Sequence, residues 1–196
     1  MAAAKAGVVA VVAAGNEGPN LGTMGSPAGG PWVIAAAASS RDGRSSLEAM
    51  EITSPQSIAG KYAVKEANFT PQLLDTGSVS GDLVLADDDD ETLDDGGDGT
   101  TSDACQPLVN DTEISGNIAF IQRGGCDFDT KVANAADAGA AAALVYNIAG
   151  DPIVMNGASD LSDIPALMVG QADGNLFLAE IDAGNTVSAV LDKALF

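Results

Sequence analysis

The sequence predicts an α/β fold rich in strands, with a βαβ unit near its centre and a piece of parallel sheet ahead of it. Three observations predict this. Two apolar runs, Ile118–Gln122 and Ala140–Tyr146, flank a stretch with helical spacing. Two further runs, Val8–Ala14 and Trp32–Ala38, are apolar throughout, as expected for parallel strands covered on both faces. Val79–Ala86 and Thr186–Leu191 alternate instead, as half-buried strands do.

In chain order, Ala2–Ala6 reads as the end of a helix stopped by Gly7, and Val8–Ala14 as a strand. Gly15-Asn16-Glu17-Gly18-Pro19 breaks that strand sharply. Trp32–Ala38 is the next strand, after a Pro- and Gly-rich connection. Arg41–Ala49 is polar, a surface connection or short strand, and Met50–Phe69 mixes apolar and polar residues around Pro55 and Gly60. Asn68-Phe69-Thr70 and Asn110-Asp111-Thr112 fit the glycosylation triplet. Ile118–Gln122 is short and bounded by glycines, so it reads as a buried strand. Asp127 can cap the helix that follows. Phe128, Val132, Ala135, Ala136 and Gly139 share one face of that helix, and Gly139 is its stop. Two strands joined by a helix make a parallel crossover. Ile164–Val169 is another strand, Gln171–Ala183 a helix closed by Gly184, and Thr186–Leu191 the last strand.

Composition narrows the function classes. The 196 residues allow one or two domains with a real core. The formal charge of −20 argues against nucleic acid or anionic membrane as partner, since both need clustered Lys and Arg. Histidine is absent, so no Ser-His-Asp or Cys-His mechanism can be assembled from this chain alone. Cys105 and Cys126 are the two cysteines, and no CxxC or Cys/His cluster exists for zinc. They suit one disulfide in an oxidising compartment, or two reduced buried thiols. No apolar run is long enough for a transmembrane helix. The apolar start also admits a signal-peptide reading.

Gly116, Ile118, Ala119, Ile121, Arg123, Gly124, Cys126, Phe128, Lys131, Ala135, Ala138, Gly139 and Ala140 follow the spacing G-x-I-A-x-I-x-R-G-x-C-x-F-x-x-K-x-x-x-A-x-x-A-G-A. This pattern resembles the protease-associated (PA) domain. Asp103-Ala104-Cys105-Gln106-Pro107-Leu108 is similar to the D-x-C-x-P-L element that precedes its strand, and Ile164–Val169 to its I-P-x-x-x-V strand. The resemblance implies a Cys105–Cys126 disulfide. Closing that loop would contribute roughly 3 kcal/mol. It also implies substrate access or partner binding rather than catalysis. A peptide could meet the Arg123-Gly124-Gly125 turn or add to a sheet edge; Arg123 could instead pair with a nearby carboxylate.

The opening resembles a second family. Val8–Val12, Ala13-Ala14-Gly15-Asn16-Glu17-Gly18-Pro19, Ser26-Pro27-Ala28, Pro31–Ile34 and Ala38-Ser39 are similar to successive blocks of subtilisin-type serine proteases. Taken alone, Asn16 is a turn former at a strand end. The resemblance implies that it donates its amide to the oxyanion of the tetrahedral intermediate, a contact typically worth about 10²–10³ in turnover. The family's Asp, His and G-T-S-M-A nucleophile motifs do not occur here. The resemblance therefore implies a fragment of a larger protease: residues 1–50 from the catalytic domain, 51–74 as a connecting segment, and 75–193 as the PA domain. It also implies a secreted or cell-surface bacterial protein whose partners are protein or peptide substrates. Residues 1–45, deprived of sheet neighbours, are expected to pair with another copy of the chain or pack irregularly.

Asp87–Asp98 is intensely acidic, and no Lys or Arg occurs between Glu66 and Glu113. Such density needs solvation or a cation. Calcium takes all-oxygen ligands, so Asp87, Asp88, Asp89, Asp90, Asp94, Asp95 and Asp98 are the candidate calcium residues, with a solvated loop as the alternative. The run does not match the EF-hand spacing. No cofactor is required by either reading.

Overall fold

A computed structural model of the chain describes residues 5–15, 24–37, 48–91, 99–158 and 163–193. The chain divides into two units, Met1–Ser45 and Ser46–Phe196.

In the first unit, β1 (Ala10–Ala13) pairs in parallel with β2 (Val33–Ala36), Ala10 opposite Val33 and Ala13 opposite Ala36. The apolar runs therefore pair with each other. Val8, Val9, Val11 and Ile34 stay exposed, so the expectation of strands covered on both faces is not met within this unit.

The second unit is a closed barrel of β3 (Glu48–Ser54), β4 (Gly60–Glu66), β8 (Ala166–Val169), β7 (Ala142–Tyr146), β6 (Ile118–Gln122), β5 (Val79–Leu85) and β9 (Ser188–Leu191), in that spatial order. The β5–β6, β6–β7 and β7–β8 pairs are parallel, and the other four are antiparallel. Closure leaves no unpaired edge within the barrel. Its helices are α1 (Leu73–Thr76), α2 (Asp111–Ile114), α3 (Phe128–Asp137) and α4 (Gln171–Asp182).

The strand period of two divides the core. Along β6, Ile118 and Phe120 join Leu144, Leu167, Leu191 and Phe177 of α4 in one cluster. Ala119 and Ile121 join Val145, Met168 and, from α3, Val132 and Ala135 in another. The central strands are thus buried on both faces, which is why they read as unbroken apolar runs. Phe120 stacks on Tyr146 at 4.7 Å, and Tyr62 meets Phe177 edge-on at 4.8 Å. Helix α4 approaches β7 closely at Gly174, where a Cβ would stand 2.5 Å from Tyr146 Cβ.

The βαβ unit of β6, α3 and β7 forms where expected. Asp127 occupies the α3 N-cap, yet its side chain makes no capping hydrogen bond; the Lys131 N–H donates to the Asp127 carbonyl instead. Gly139 follows the helix end with φ +79°, a conformation that suits glycine.

One expected boundary changes. Residues 51–74 are not a connecting segment: β3 and β4 lie within the barrel, and β3 also pairs with β9 to close it. Pro55 and Gly60 bracket the β3–β4 turn, held by the Ile58 N–H on the Pro55 carbonyl, rather than interrupting a loop. Met50, Ile52 and Val64 supply the buried alternate positions.

Candidate functional site

The Gly-rich turn between β6 and α3 is built from Arg123 to Phe128, and these residues line an open cleft of about 340 Å³. Gly124 and Gly125 both take positive φ, at 124° and 82°, which folds the chain back before the helix. The Arg123 N–H is held by the Tyr146 carbonyl of the neighbouring strand. Its guanidinium donates to Asn147 Oδ1 at 2.8 Å and lies 5.9 Å from the Phe128 ring centre. Among the described residues no carboxylate pairs with Arg123, so its partner is a neutral amide and its charge is not cancelled by an ion pair there. Asn147, itself buried, is fixed by donating to the Asp151 carbonyl.

Behind the turn lies the Cys105–Cys126 disulfide, with Cα atoms 5.6 Å apart. The pairing implied by the resemblance is thus present. Lys131 of α3 is fully buried beside it. Its ammonium donates to the Asp103 carbonyl and lies 3.3 Å from Cys105 Sγ. Burial lowers the Lys131 pKa to about 8, against the opposing pull of Asp103 and Asp88. Asn134, one turn further along α3, donates to the Ala104 carbonyl at 2.9 Å. The Asp103 carboxylate accepts from the Thr100 and Cys105 N–H groups, so the loop before Cys105 is tied both to itself and to α3.

The acidic stretch divides between described and undescribed residues. Asp94, Asp95 and Asp98 lie outside the described residues, as does Asn16. Of the rest, Asp87 accepts from the Asp89 N–H, and Asp88 accepts from the Asp90 and Gln106 N–H groups. Burial pushes the Asp88 carboxyl upward, against those same donors. Among the described residues no three acidic or thiol groups converge on one point. The carboxylates of Asp87 and Asp88 shape the backbone around the turn.

Sequence reasoning named Arg123, Gly124, Gly125, Cys105 and Cys126, and the structure brings these together. It gave no role to Lys131 or Asn147. A signal for Lys131 was present: it stands three residues after Phe128 and four before Ala135, on the apolar stripe of α3, where a solvated lysine would not lie. For Asn147 the signal was its place directly after the second apolar strand, where the pattern that the chain resembles also carries an Asn.

Comparisons with known proteins bear on both units. The E3 ubiquitin-protein ligase RNF13 of Gallus gallus is 36% identical over 81 residues, which is 37% of this chain and 21% of that protein. The minor extracellular protease Vpr of Bacillus subtilis (strain 168) is 27% identical over 180 residues, 92% of this chain and 20% of that protein. The chain therefore spans about a fifth of the length of these relatives. Among solved structures, an aminopeptidase from Aneurinibacillus sp. strain AM-1 matches with a TM-score of 0.52 at 25% identity, covering 74% of this chain and 29% of that one. The psychrophilic subtilisin-like protease Apa1 from Pseudoalteromonas sp. AS-11 shares the fold, with a TM-score of 0.50 at 18% identity over 94% of this chain and 47% of that one. Residues 79–177, about half of the sequence, match the PA domain family, and the chain belongs to that family.

Proposed function

We propose that this chain is the PA-domain region of a secreted subtilisin-like serine endopeptidase, carrying with it the segment that supplies the parent's oxyanion donor, Asn16. The observation that carries this reading is the reach of the similarity to the Bacillus protease Vpr. Its 180 residues must include most of the first unit, whereas the similarity to RNF13 spans 81. A PA domain that served as a free-standing receptor module would have no need of an Ala-Ala-Gly-Asn block. In this reading the second unit captures protein or peptide segments for the parent. Arg123, held by Asn147 and free of an ion pair among the described residues, offers a cation at the mouth of the cleft to a peptide carbonyl or carboxylate.

Two substitutions in the longer protein test this. Asn16→Ala lowers kcat by about 10²–10³ with little change in KM, because the lost donor acts on the transition state. Arg123→Ala raises KM for protein substrates and leaves hydrolysis of a short chromogenic peptide unchanged. An unaltered kcat in the first variant contradicts the oxyanion role.

The aminopeptidase match favours a second reading, a PA domain attached to another peptidase class. Labelling of the longer protein by a serine-directed fluorophosphonate distinguishes the two, since an aminopeptidase dependent on metal would not react.

A further inference from the structure

Between Lys65 and Lys193 the sequence carries two cations, Arg123 and Lys131, and both stand beside the disulfide. They stand on different sides of it. Cys126 lines the open cleft with Arg123. Cys105 Sγ lies inward, 3.3 Å from the buried Lys131 ammonium. We propose that the disulfide is a directional thiol-exchange site, in which a small-molecule thiolate attacks Cys126 Sγ from the cleft and Cys105 is the leaving group, received as a thiolate by Lys131.

The attacking thiolate forms a bond to Cys126 Sγ, the Cys126–Cys105 bond breaks, and its electron pair passes to Cys105 Sγ. The products are a mixed disulfide on Cys126 and a Cys105 thiolate paired with the Lys131 ammonium. A second thiolate then attacks the mixed disulfide, releasing the oxidised small molecule and the Cys126 thiolate. The two reducing electrons come from the two thiols. Exchange is faster when the leaving sulfur has the lower pKa, so whichever cysteine is better stabilised as thiolate fixes the direction.

Two influences compete for that role. Cys126 immediately precedes the α3 N-cap, where the helix contributes about half a positive charge. The Arg123 guanidinium on the same cleft adds to it but donates to Asn147 Oδ1 rather than to sulfur, and the adjacent exposed Asp127 carboxylate works against it. Cys105, itself half-buried, faces the whole positive charge of a fully buried ammonium 3.3 Å away, and a neighbouring ammonium lowers a thiol pKa. Asp103 and Asp88 also act on Lys131, which retains its proton at neutral pH because its pKa is about 8. Cys105 therefore prevails. Opening the bond removes the covalent tie between the loop carrying Cys105 and the Arg123–Phe128 turn, and leaves Lys131 and Asn134 as that loop's links to α3. The chemistry itself requires nothing of the peptide-capture reading.

The test uses the oxidised wild-type chain and 2-mercaptoethanol under native conditions, with iodoacetamide quenching at early times and peptide mapping of both cysteines. The expected result is the mercaptoethanol adduct on Cys126 and carbamidomethyl on Cys105, by roughly tenfold or more over the reverse. An adduct mainly on Cys105, an even mixture, or no adduct at all overturns the proposal. In a Cys126→Ala variant, the Cys105 thiolate absorbance at 240 nm should titrate at least one unit below about 8.5, and Lys131→Met in that background should move it back upward. A Cys105 midpoint at or above the ordinary value overturns the proposal. Should the variants fail to fold, the wild-type mapping decides alone.

Discussion

Lys131 shows how a single residue can be visible in the sequence and yet have its role hidden. Its place on the apolar stripe of α3 was readable. What it meets there, the Asp103 carbonyl and the Cys105 sulfur, depends on a loop that begins about thirty residues earlier. Its amine should titrate near 8, against 10.5 for an ordinary lysine. The sign follows from the lowered value. Below pH 8 both folded and unfolded chains hold the proton, and the full cost of burying it is present. Between 8 and 10.5 the unfolded chain holds a proton that the folded chain has lost, so this group's contribution to stability rises with pH. The side-chain carbon shift of Lys131, followed by NMR in the oxidised protein, should give the midpoint near 8; a midpoint near 10.5 contradicts the buried environment. Gly174 is a second residue whose role lies in a distant contact. The Gly174→Ala methyl would meet Tyr146 Cβ at 2.5 Å. Moving α4 away should lower stability by roughly 1–3 kcal/mol, read as a shift in the urea midpoint. An unshifted midpoint would show that the helix can move aside freely.

At the level of elements, the central βαβ unit was legible because its strands are buried on both faces and its helix on one. Those conditions write unbroken apolar runs and a 3.6-residue stripe directly into the sequence. β3 and β4 were not legible as barrel strands. Their outward residues, such as Glu51 and Lys61, mix with buried Met50, Ile52 and Val64, and Pro55 and Gly60 look like breakers when they are the turn. They pair with each other as a hairpin, and what places them in the barrel is pairing with β8 and β9, more than 100 residues away. The disulfide was legible through its motif. Reducing it should cost about 3 kcal/mol of stability through the freed loop. Paired denaturant melts with and without reductant, keeping the slope in view, measure this; equal midpoints would mean that Lys131 and Asn134 hold the loop unaided. Phe177 joins α4 to the aromatic group of Tyr62, Phe120 and Tyr146. Phe177→Ala should therefore cost about 3–5 kcal/mol.

For the whole molecule, two units with different characters account for the comparisons. The barrel of Ser46–Phe196 closes on itself and carries the PA domain match. In the first unit Val11 and Ile34 are exposed on a two-stranded sheet, and Val8 and Val9 are exposed just ahead of it. A chain of residues 46–196 should consequently unfold cooperatively by itself and with a midpoint close to that of the full chain. The division of labour in the proposed parent, with chemistry in one part and capture in the barrel, is tested most directly by one measurement. This chain and the proposed longer parent are each treated with a fluorophosphonate probe and a chromogenic peptide. The longer protein should label and cleave, while this chain does neither. Turnover or labelling by this chain, which has no histidine, would contradict that division.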